Sequence, residues 1–225
     1  MSTPTSTRLG RDIRAHIPQA EDAPGHLVLG DRDAAIWTRA APYLRVRNND
    51  THSLYAYGIA RALLARLPDA REDVVLPAIL LHDTGWSTVP DDQILEAIAP
   101  GGGRPDLVLH HEKEGARIAR QVLDAVGHDA EAIDRIVEIV DGHDSRRHAI
   151  SLEDEIVKDA DKLWRVSPHG IRTVCAWFAL TPDESLRLCA SRVEPALFTE
   201  PGKAIARALV GIASIDVAAQ RQGLA

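Results

Sequence analysis

Residues 75–86 read Val-Leu-Pro-Ala-Ile-Leu-Leu-His-Asp-Thr-Gly-Trp and decide the fold. The apolar residues recur with a helical period, and His82 lies three residues after Ile79 on the same face. This pattern predicts a helix that ends at Gly85, with Pro77 marking either a kink or a later start. An apolar helix therefore ends in a His-Asp pair, on a face that we expect to be buried.

Two other predicted helices also present polar side chains on apolar faces. His52 begins an amphipathic helix on the face of Tyr55 and Ile59, and Asp161 lies four residues after Val157. A buried carboxylate is costly unless it is paired or bound to a metal. A core histidine or a capping aspartate would explain any one of these residues alone. The three helices together favour a site for a divalent ion, which prefers imidazole and carboxylate ligands.

The rest of the chain is patterned as helices, without convincing strand alternation, so an all-α fold is predicted. The irregular stretch is 86–110, whose run of three glycines at 101–103 suggests a mobile lid. We expect an N-terminal arm at 1–30 and one helical domain at 31–222. Within that domain, helices are predicted at about 31–44, 51–67, 72–83, 91–99, 111–126, 129–141 and 151–165, with two or three more after Pro168.

Composition restricts the function classes. The 225 residues are 45% hydrophobic and 26% charged, as in ordinary globular proteins, and the net charge of −7 argues against nucleic-acid binding. No apolar run reaches the roughly 18 residues of a membrane span, and no secretory signal is evident. Cys175 and Cys189 form no CxxC pair, so free thiols are expected. A cytoplasmic protein without a membrane partner is predicted.

The ordered polar residues resemble the ligand set of the HD superfamily of metal-dependent phosphohydrolases. The resemblance covers roughly residues 45–165 and implies a single-domain HD-type helical bundle with the metal site between core helices. It assigns the first metal ion to four residues, namely His52, His82, Asp83 and Asp161.

The last ligand motif leaves a choice between two aspartates. The segment at 159–164 reads Asp-Ala-Asp-Lys-Leu-Trp and is similar to the family motif of Asp, a basic residue and an apolar residue. We place the ligand on Asp161. Asp159 is the alternative, but it points about 200° away on a helix.

Two more histidines resemble the second-metal ligands of binuclear members of this family. His111 lies four residues before Gly115, as in the family's His-x-x-x-Gly-Ala helix start, and His143 ends the helix whose apolar stripe includes Ile136. The resemblance implies that Asp83 bridges two ions and that His111 and His143 bind the second. A polar lining around a single metal ion remains the alternative.

Basic residues near these motifs are candidates for binding a phosphate. Lys162 matches the basic residue after the metal-binding aspartate in several family members, and Arg147 follows His143 closely. We therefore expect catalytic roles for Asp83, Lys162 and Arg147. The substrate-binding candidates are Trp86, Lys113, Arg146 and Arg147.

Trp86 is a departure from the family pattern. Many members have Lys or His at this position, which Trp cannot replace as an acid, a base or a cation. We expect Trp86 to form an apolar or stacking wall of the pocket. The glutamate of some nucleotidases and the GYP signature of cyclic-dinucleotide phosphodiesterases are also missing, which weakens any transfer of those specificities.

Three functions fit the ordered set of histidines and aspartates. The first is hydrolysis of a small phosphate ester, with one or two ions of Fe, Mn, Mg, Co or Ni. The second is an HD-type diiron oxygenase that cleaves a C–C or C–P bond of a small polar substrate. The third is a non-catalytic HD-fold sensor. A phosphorylated small molecule is the expected partner, and the Ala-rich segment at 204–219 leaves a homodimer open.

Overall fold

The computed structural model describes residues 14–217. Residues 1–13 of the predicted arm and residues 218–222 of the predicted domain lie outside the described residues. Within 14–217 no strand occurs, and the predicted all-α class is confirmed. The α-helices are α1 Asp31–Ala40, α2 Asn49–Leu64, α3 Glu72–Leu81, α4 Asp91–Ile98, α5 Pro105–Ala125, α6 Ala130–Val140, α7 Leu152–Trp164, α8 Pro168–Phe178, α9 Pro182–Val193 and α10 Glu200–Val217.

Side-chain caps determine where several helices begin. Asp129 accepts the backbone N–H of Ala132 at the start of α6, and Ser151 and Ser167 cap α7 and α8 in the same way. Each side-chain oxygen accepts a backbone N–H that lacks a partner within the helix. At α9, Thr181 and the residue three positions later form a complete capping box.

Helix α3 lies in the centre of the bundle. Every residue from Val74 to Leu81 is buried, and α3 contacts α1, α2, α5, α6 and α7. Pro77 lies inside the helix and has no N–H to donate to the carbonyl of Asp73. His128 Nε2 donates to that carbonyl at 2.9 Å instead. The proline is therefore tolerated inside α3 because the side chain of His128 donates to the carbonyl that the proline cannot serve.

The buried face that the sequence predicted for α2 is partly wrong. Tyr55 is exposed and stacks on His169, whereas Tyr57 is buried and donates its hydroxyl to Asp33 at 2.6 Å. A tyrosine hydroxyl needs a partner when it is buried, and Asp33 of α1 supplies one. The buried stripe is therefore rotated relative to the predicted one, although His52 still lies on it.

The predicted irregular stretch at 86–110 is more ordered than expected. Residues Thr84–Thr88 form a 3₁₀ turn, and α5 begins at Pro105 rather than near residue 111. Proline is well suited to a first helical position, because its missing N–H has no partner there in any case. The predicted helix at 31–44 ends as α1 at Ala40 and continues as a 3₁₀ turn.

Two other expectations concern membranes and thiols. None of the helices in residues 14–217 combines the length and the apolar character that a membrane crossing requires. Cys175 and Cys189 are free thiols, as predicted.

Candidate metal centre

Five helices bring the six predicted metal ligands together in the interior. Each of these side chains belongs to a residue that is at most 6% exposed. His52 comes from α2 and Asp161 from α7, while the others lie on α5 or just after α3 and α6. The buried residues are His52, His82, Asp83, His111, His143 and Asp161.

The first cluster surrounds the imidazole nitrogens of His52 and His82. Their Nε2 atoms are 3.0 Å apart. Asp161 Oδ1 lies 3.3 Å from His52 Nε2 and 3.8 Å from His82 Nε2. Asp83 Oδ2 lies 3.4 Å and 3.6 Å from the same two atoms. Both carboxylates therefore lie within 4 Å of the same two imidazole nitrogens, and nitrogen and oxygen donors of this kind suit a divalent ion.

The second cluster uses the other oxygen of the same aspartate. Asp83 Oδ1 lies 3.6 Å from His143 Nε2 and 3.9 Å from His111 Nε2, and these two nitrogens are 3.4 Å apart. Asp144 Oδ2 approaches the same nitrogens at 3.7 Å and 3.6 Å. Each oxygen of Asp83 thus faces a different pair of histidines.

Backbone carbonyls orient two of the imidazoles. His82 Nδ1 is 2.8 Å from the carbonyl of Ile79, and His143 Nδ1 is 2.9 Å from the carbonyl of Val140. A carbonyl only accepts, so Nδ1 donates in both cases and Nε2 is the ring nitrogen that faces the centre. Such outer hydrogen bonds commonly hold metal-binding histidines. The residues present therefore fit a metal ion.

The charges in the first cluster also suit a metal ion. Burial alone would raise the pKa of Asp83, but His82 and the neighbouring histidines lower it well below its usual range. Burial lowers the pKa of His82. Burial would also raise the pKa of Asp161, but Arg165 and His52 lower it well below the usual range. Ionised carboxylates and a neutral imidazole are the forms that bind metals.

The second pair of histidines is electrostatically unequal. Burial lowers the pKa of His143, but Asp144 and Asp83 outweigh burial and raise it to about 9. Burial and the neighbouring His143 lower the pKa of His111 to about 4. The pKa of His143 therefore lies above the usual histidine value, and that of His111 lies below it.

Two glycines allow the second cluster to approach the first. A Cβ atom on Gly85 would overlap the carbonyl oxygen of His111 and the backbone nitrogen of Gly115. A Cβ on Gly115 would lie 3.1 Å from the carbonyl oxygen of His82. The turn after α3 therefore packs directly on the backbone of α5, and this contact places His111 beside Asp83.

Trp86 contacts two of the candidate ligands. Its ring stacks on His111 at a centroid distance of 3.9 Å and an interplanar angle of 11°. Its Nε1 donates to Asp83 Oδ1 at 3.1 Å. Trp86 also lines the neighbouring cavity, and its hydrogen bond to Asp83 was not predicted. The residue therefore orients part of the cluster.

A cavity of about 300 Å³ opens onto His52, Asp83 and Asp161. Four cationic side chains contribute to its walls: Arg47, Lys162, Arg165 and Arg192. Arg165 forms an ion pair with Asp161 at 3.4 Å. Lys162 Nζ donates to the carbonyl of Lys158 at 3.2 Å. An anionic ligand in this cavity would therefore meet positive charge next to the metal centre.

The structure does not bring three of the predicted cations to this cavity. Lys113 and Arg147 are exposed and do not line it. The guanidinium of Arg146 donates to the carbonyls of Glu138 and Asp141 at the end of α6, and it pairs with Asp154 at 3.1 Å. Unpartnered carbonyls at a helix end attract such a donor. Lys162 and Trp86 do line the cavity.

Sequence reasoning missed Asp144 and Arg47. Asp144 forms a second His-Asp pair with His143, a repetition that could have identified it as a ligand candidate. Arg47 precedes His52 by five residues and carried no recognisable signal. Asp161 lies beside His52 and His82, whereas Asp159 accepts hydrogen bonds from residues 198 and 199.

The model of the HD domain family matches residues 49–165, just over half of the chain. The chain therefore belongs to the HD domain family, the superfamily of metal-dependent phosphohydrolases. Neither the curated proteins nor the solved structures gave a match. The matched span contains all six predicted ligands and ends at the residue after α7, so α8, α9 and α10 lie beyond it.

Proposed function

We propose that this protein hydrolyses a small phosphate ester with two divalent ions bound at the candidate metal centre. One observation carries the proposal: the two oxygens of Asp83 face different pairs of histidines, at 3.4–3.6 Å on one side and 3.6–3.9 Å on the other. Asp161 completes the first donor set, and Asp144 lies beside the second.

Divalent ions in this position supply Lewis acidity towards a phosphoryl oxygen and lower the pKa of water. The protein contributes orientation and charge. Lys162 and Arg165 place positive charge on the cavity wall, where it favours a phosphate group. Trp86 holds the Asp83 carboxylate through its indole N–H and supports His111 by stacking.

The proposal also covers the binding partner and the cellular location. The expected partner is a small phosphorylated molecule, since the chain carries a net charge of −7 while the cavity is lined by four cations. We propose a cytoplasmic protein that binds neither nucleic acid nor membranes, and we leave a homodimer open.

A diiron oxygenase is the second candidate function. Its supporting observation is the ligand set itself, because six buried histidines and aspartates in this order suit an oxygenase as well as a hydrolase. Four histidines and two aspartates also suit a diiron centre that cleaves a C–C or C–P bond. The cavity's positive charge is compatible with a phosphonate as well as a phosphate ester.

Metal analysis together with a substrate screen separates these functions. The protein is purified without added metal, its metals are measured, and phosphate-ester turnover is followed under air and under nitrogen. Hydrolysis that is independent of oxygen, with about two ions per chain, supports the proposal. Iron with turnover that requires oxygen supports the oxygenase. Bound metal without turnover in either atmosphere favours a sensor, and Asp83→Ala serves as the metal-deficient control.

A further inference from the structure

Arg47 has a backbone conformation that is unusual for its residue type. Its φ angle is 52°, and that of the following residue, Asn48, is 60°. Side chains with a Cβ atom rarely adopt this left-handed region, and such strain persists where the surrounding structure compensates for it. The two residues end a 3₁₀ turn directly before α2, and Arg47 lies five residues before His52. The strained turn places Arg47 at the cavity wall.

Two tryptophans hold the guanidinium of Arg47. Its Cζ atom lies 5.3 Å from the ring centroid of Trp86 and 4.9 Å from that of Trp177. Guanidinium groups stack favourably on indole rings at such distances. Stacking fixes the plane of the guanidinium but fills none of its hydrogen-bond donors.

Several donors at this position lack a partner. Nε and Nη1 of Arg47 are buried without a hydrogen-bond acceptor, and so is Nδ2 of Asn49. The bond between them is long, with Arg47 Nη2 donating to Asn49 Oδ1 at 3.4 Å. A buried donor without an acceptor costs about 1–3 kcal/mol, and more when it is charged. Arg47 and Asn49 therefore form a preorganised donor group that an acceptor from outside the chain would stabilise.

This donor group lies on the same cavity as the metal centre. Arg47 and Asn49 line it together with Asp83 and Asp161. Burial lowers the pKa of Arg47, and no carboxylate forms an ion pair with it within the described residues. The planar guanidinium matches an oxyanion in two parallel hydrogen bonds. The acceptor is therefore expected to be an oxyanion that also reaches the metal centre.

A largely apolar wall of the cavity comes mainly from α8 and α9, and Arg192 of α9 is its one charged side chain among the lining residues. These helices follow the segment that matches the family, so the wall is a feature of this chain outside the matched span. Apart from Arg192, this wall offers no charged or amide side chain as a hydrogen-bond partner for a nucleobase or a sugar. The side chains of the wall are Ile98, Val174, Trp177, Phe178, Leu188, Cys189 and Val193.

We propose that Arg47 and Asn49 bind the oxyanion of a compact organophosphorus compound whose remaining part is apolar and contacts the wall formed by α8 and α9. The proposal rests on the proposed function for the hydrolysis of that compound. It makes Arg47 a specificity-determining residue and excludes polar nucleotides as preferred ligands. A cavity of about 300 Å³ suits one small aryl or alkyl group.

Calorimetric titration of the purified, metal-containing protein tests the assignment with phenylphosphonate, methylphosphonate and adenosine monophosphate. Phenylphosphonate is expected to bind about 10-fold more tightly than the other two. Arg47→Ala should raise its Kd about 10- to 100-fold while the metal content is unchanged. Arg45→Ala, an exposed arginine two residues earlier, is the matched control and should bind like the unmodified protein.

Two further variants keep the test decisive if Arg47→Ala folds poorly. Asn49→Asp preserves shape but replaces the free donor with an anion, so it should also weaken phenylphosphonate at least about 10-fold. Leu188→Gln should reduce the preference for phenylphosphonate over methylphosphonate without weakening methylphosphonate. The inference would be overturned if the Arg47 and Asn49 variants bind phenylphosphonate as tightly as the unmodified protein does. It would also be overturned if adenosine monophosphate binds as tightly as phenylphosphonate.

The outcomes separate this inference from the proposed function. Arg47-dependent binding of phenylphosphonate without hydrolysis of any phosphate ester would remove the proposed function and leave the assignment of Arg47 intact. Hydrolysis with unchanged KM and unchanged phenylphosphonate Kd in Arg47→Ala would remove the assignment and leave the proposed function.

Discussion

Asp159 and Asp161 lie two residues apart on α7, and both are buried, but their partners differ in kind. Asp159 accepts the backbone N–H groups of Phe198 and Thr199 at 2.8 Å and 2.9 Å, and the Thr199 hydroxyl at 2.8 Å. Asp161 has longer contacts, 3.3 Å to His52 and 3.4 Å to Arg165. One carboxylate is saturated by short hydrogen bonds, whereas the other retains capacity for a ligand.

The buried cations show the same contrast. Lys158 donates to the carbonyls of Gly142, His143 and Arg146 at 2.6–3.1 Å, so all three protons of its ammonium group have acceptors. Arg47 leaves Nε and Nη1 without any acceptor. Buried polar groups are almost always satisfied in folded proteins. A saturated group therefore indicates a structural role, and a cluster of unsaturated groups around one cavity indicates a binding site.

The largest effect is expected at the residue shared by both halves of the centre. Asp83→Ala should remove both ions and lower any metal-dependent turnover by more than about 1000-fold, because several kcal/mol of transition-state stabilisation depend on the metals. Elemental analysis and steady-state kinetics measure this, with exposed Asp124→Ala as the control. Full metal content and activity in Asp83→Ala would contradict the site.

The two aspartates of α7 should separate stability from metal binding. Asp159→Ala is expected to lower the free energy of unfolding by about 3 kcal/mol, because two buried donors and one half-buried donor lose their acceptor. Its metal content per folded chain should stay unchanged. Asp161→Ala should lose metal while the chelator-treated protein remains nearly as stable as the unmodified protein. Urea unfolding and elemental analysis measure both, and identical behaviour of the two variants would remove the distinction.

The second cluster can be tested through stoichiometry. His111→Ala and His143→Ala should each lower the metal content from about two ions to about one, since each removes a ligand of the second ion only. The neighbouring exposed residue supplies a matched control, as His110→Ala should keep about two ions. An unchanged count in both variants would leave a mononuclear centre with a polar lining.

The smallest effect is expected at the residue that orients the ligands. Trp86→Phe keeps a ring to stack on His111 but loses the hydrogen bond to Asp83. Metal affinity should fall about 10-fold, the lower end of the range for outer partners of metal ligands. Competition with a chelator measures it, and Trp37→Phe on α1 should behave like the unmodified protein. Undiminished affinity in Trp86→Phe would show that stacking alone suffices.

Local patterns were enough to predict most helices and the polar residues on their buried faces. The apolar period around His82 and the proline boundary at 168 act within a few residues, as do the side-chain caps that the structure shows at Asp129 and Ser151. The predictions failed where a residue distant in sequence decides which side chain is buried. Tyr57 is an example, because Asp33 of another helix accepts a hydrogen bond from its hydroxyl.

The sequence by itself determined the all-α class and the ordered set of histidines and aspartates, because helical periodicity and caps are local properties. Only the tertiary structure decided which cations reach the cavity. Arg146 donates to backbone carbonyls at the C-terminal end of α6. Arg47 belongs to no recognisable motif, and its guanidinium lies against Trp86 and Trp177. Contacts between helices distant in sequence fix these positions, and no pattern along the chain encodes them.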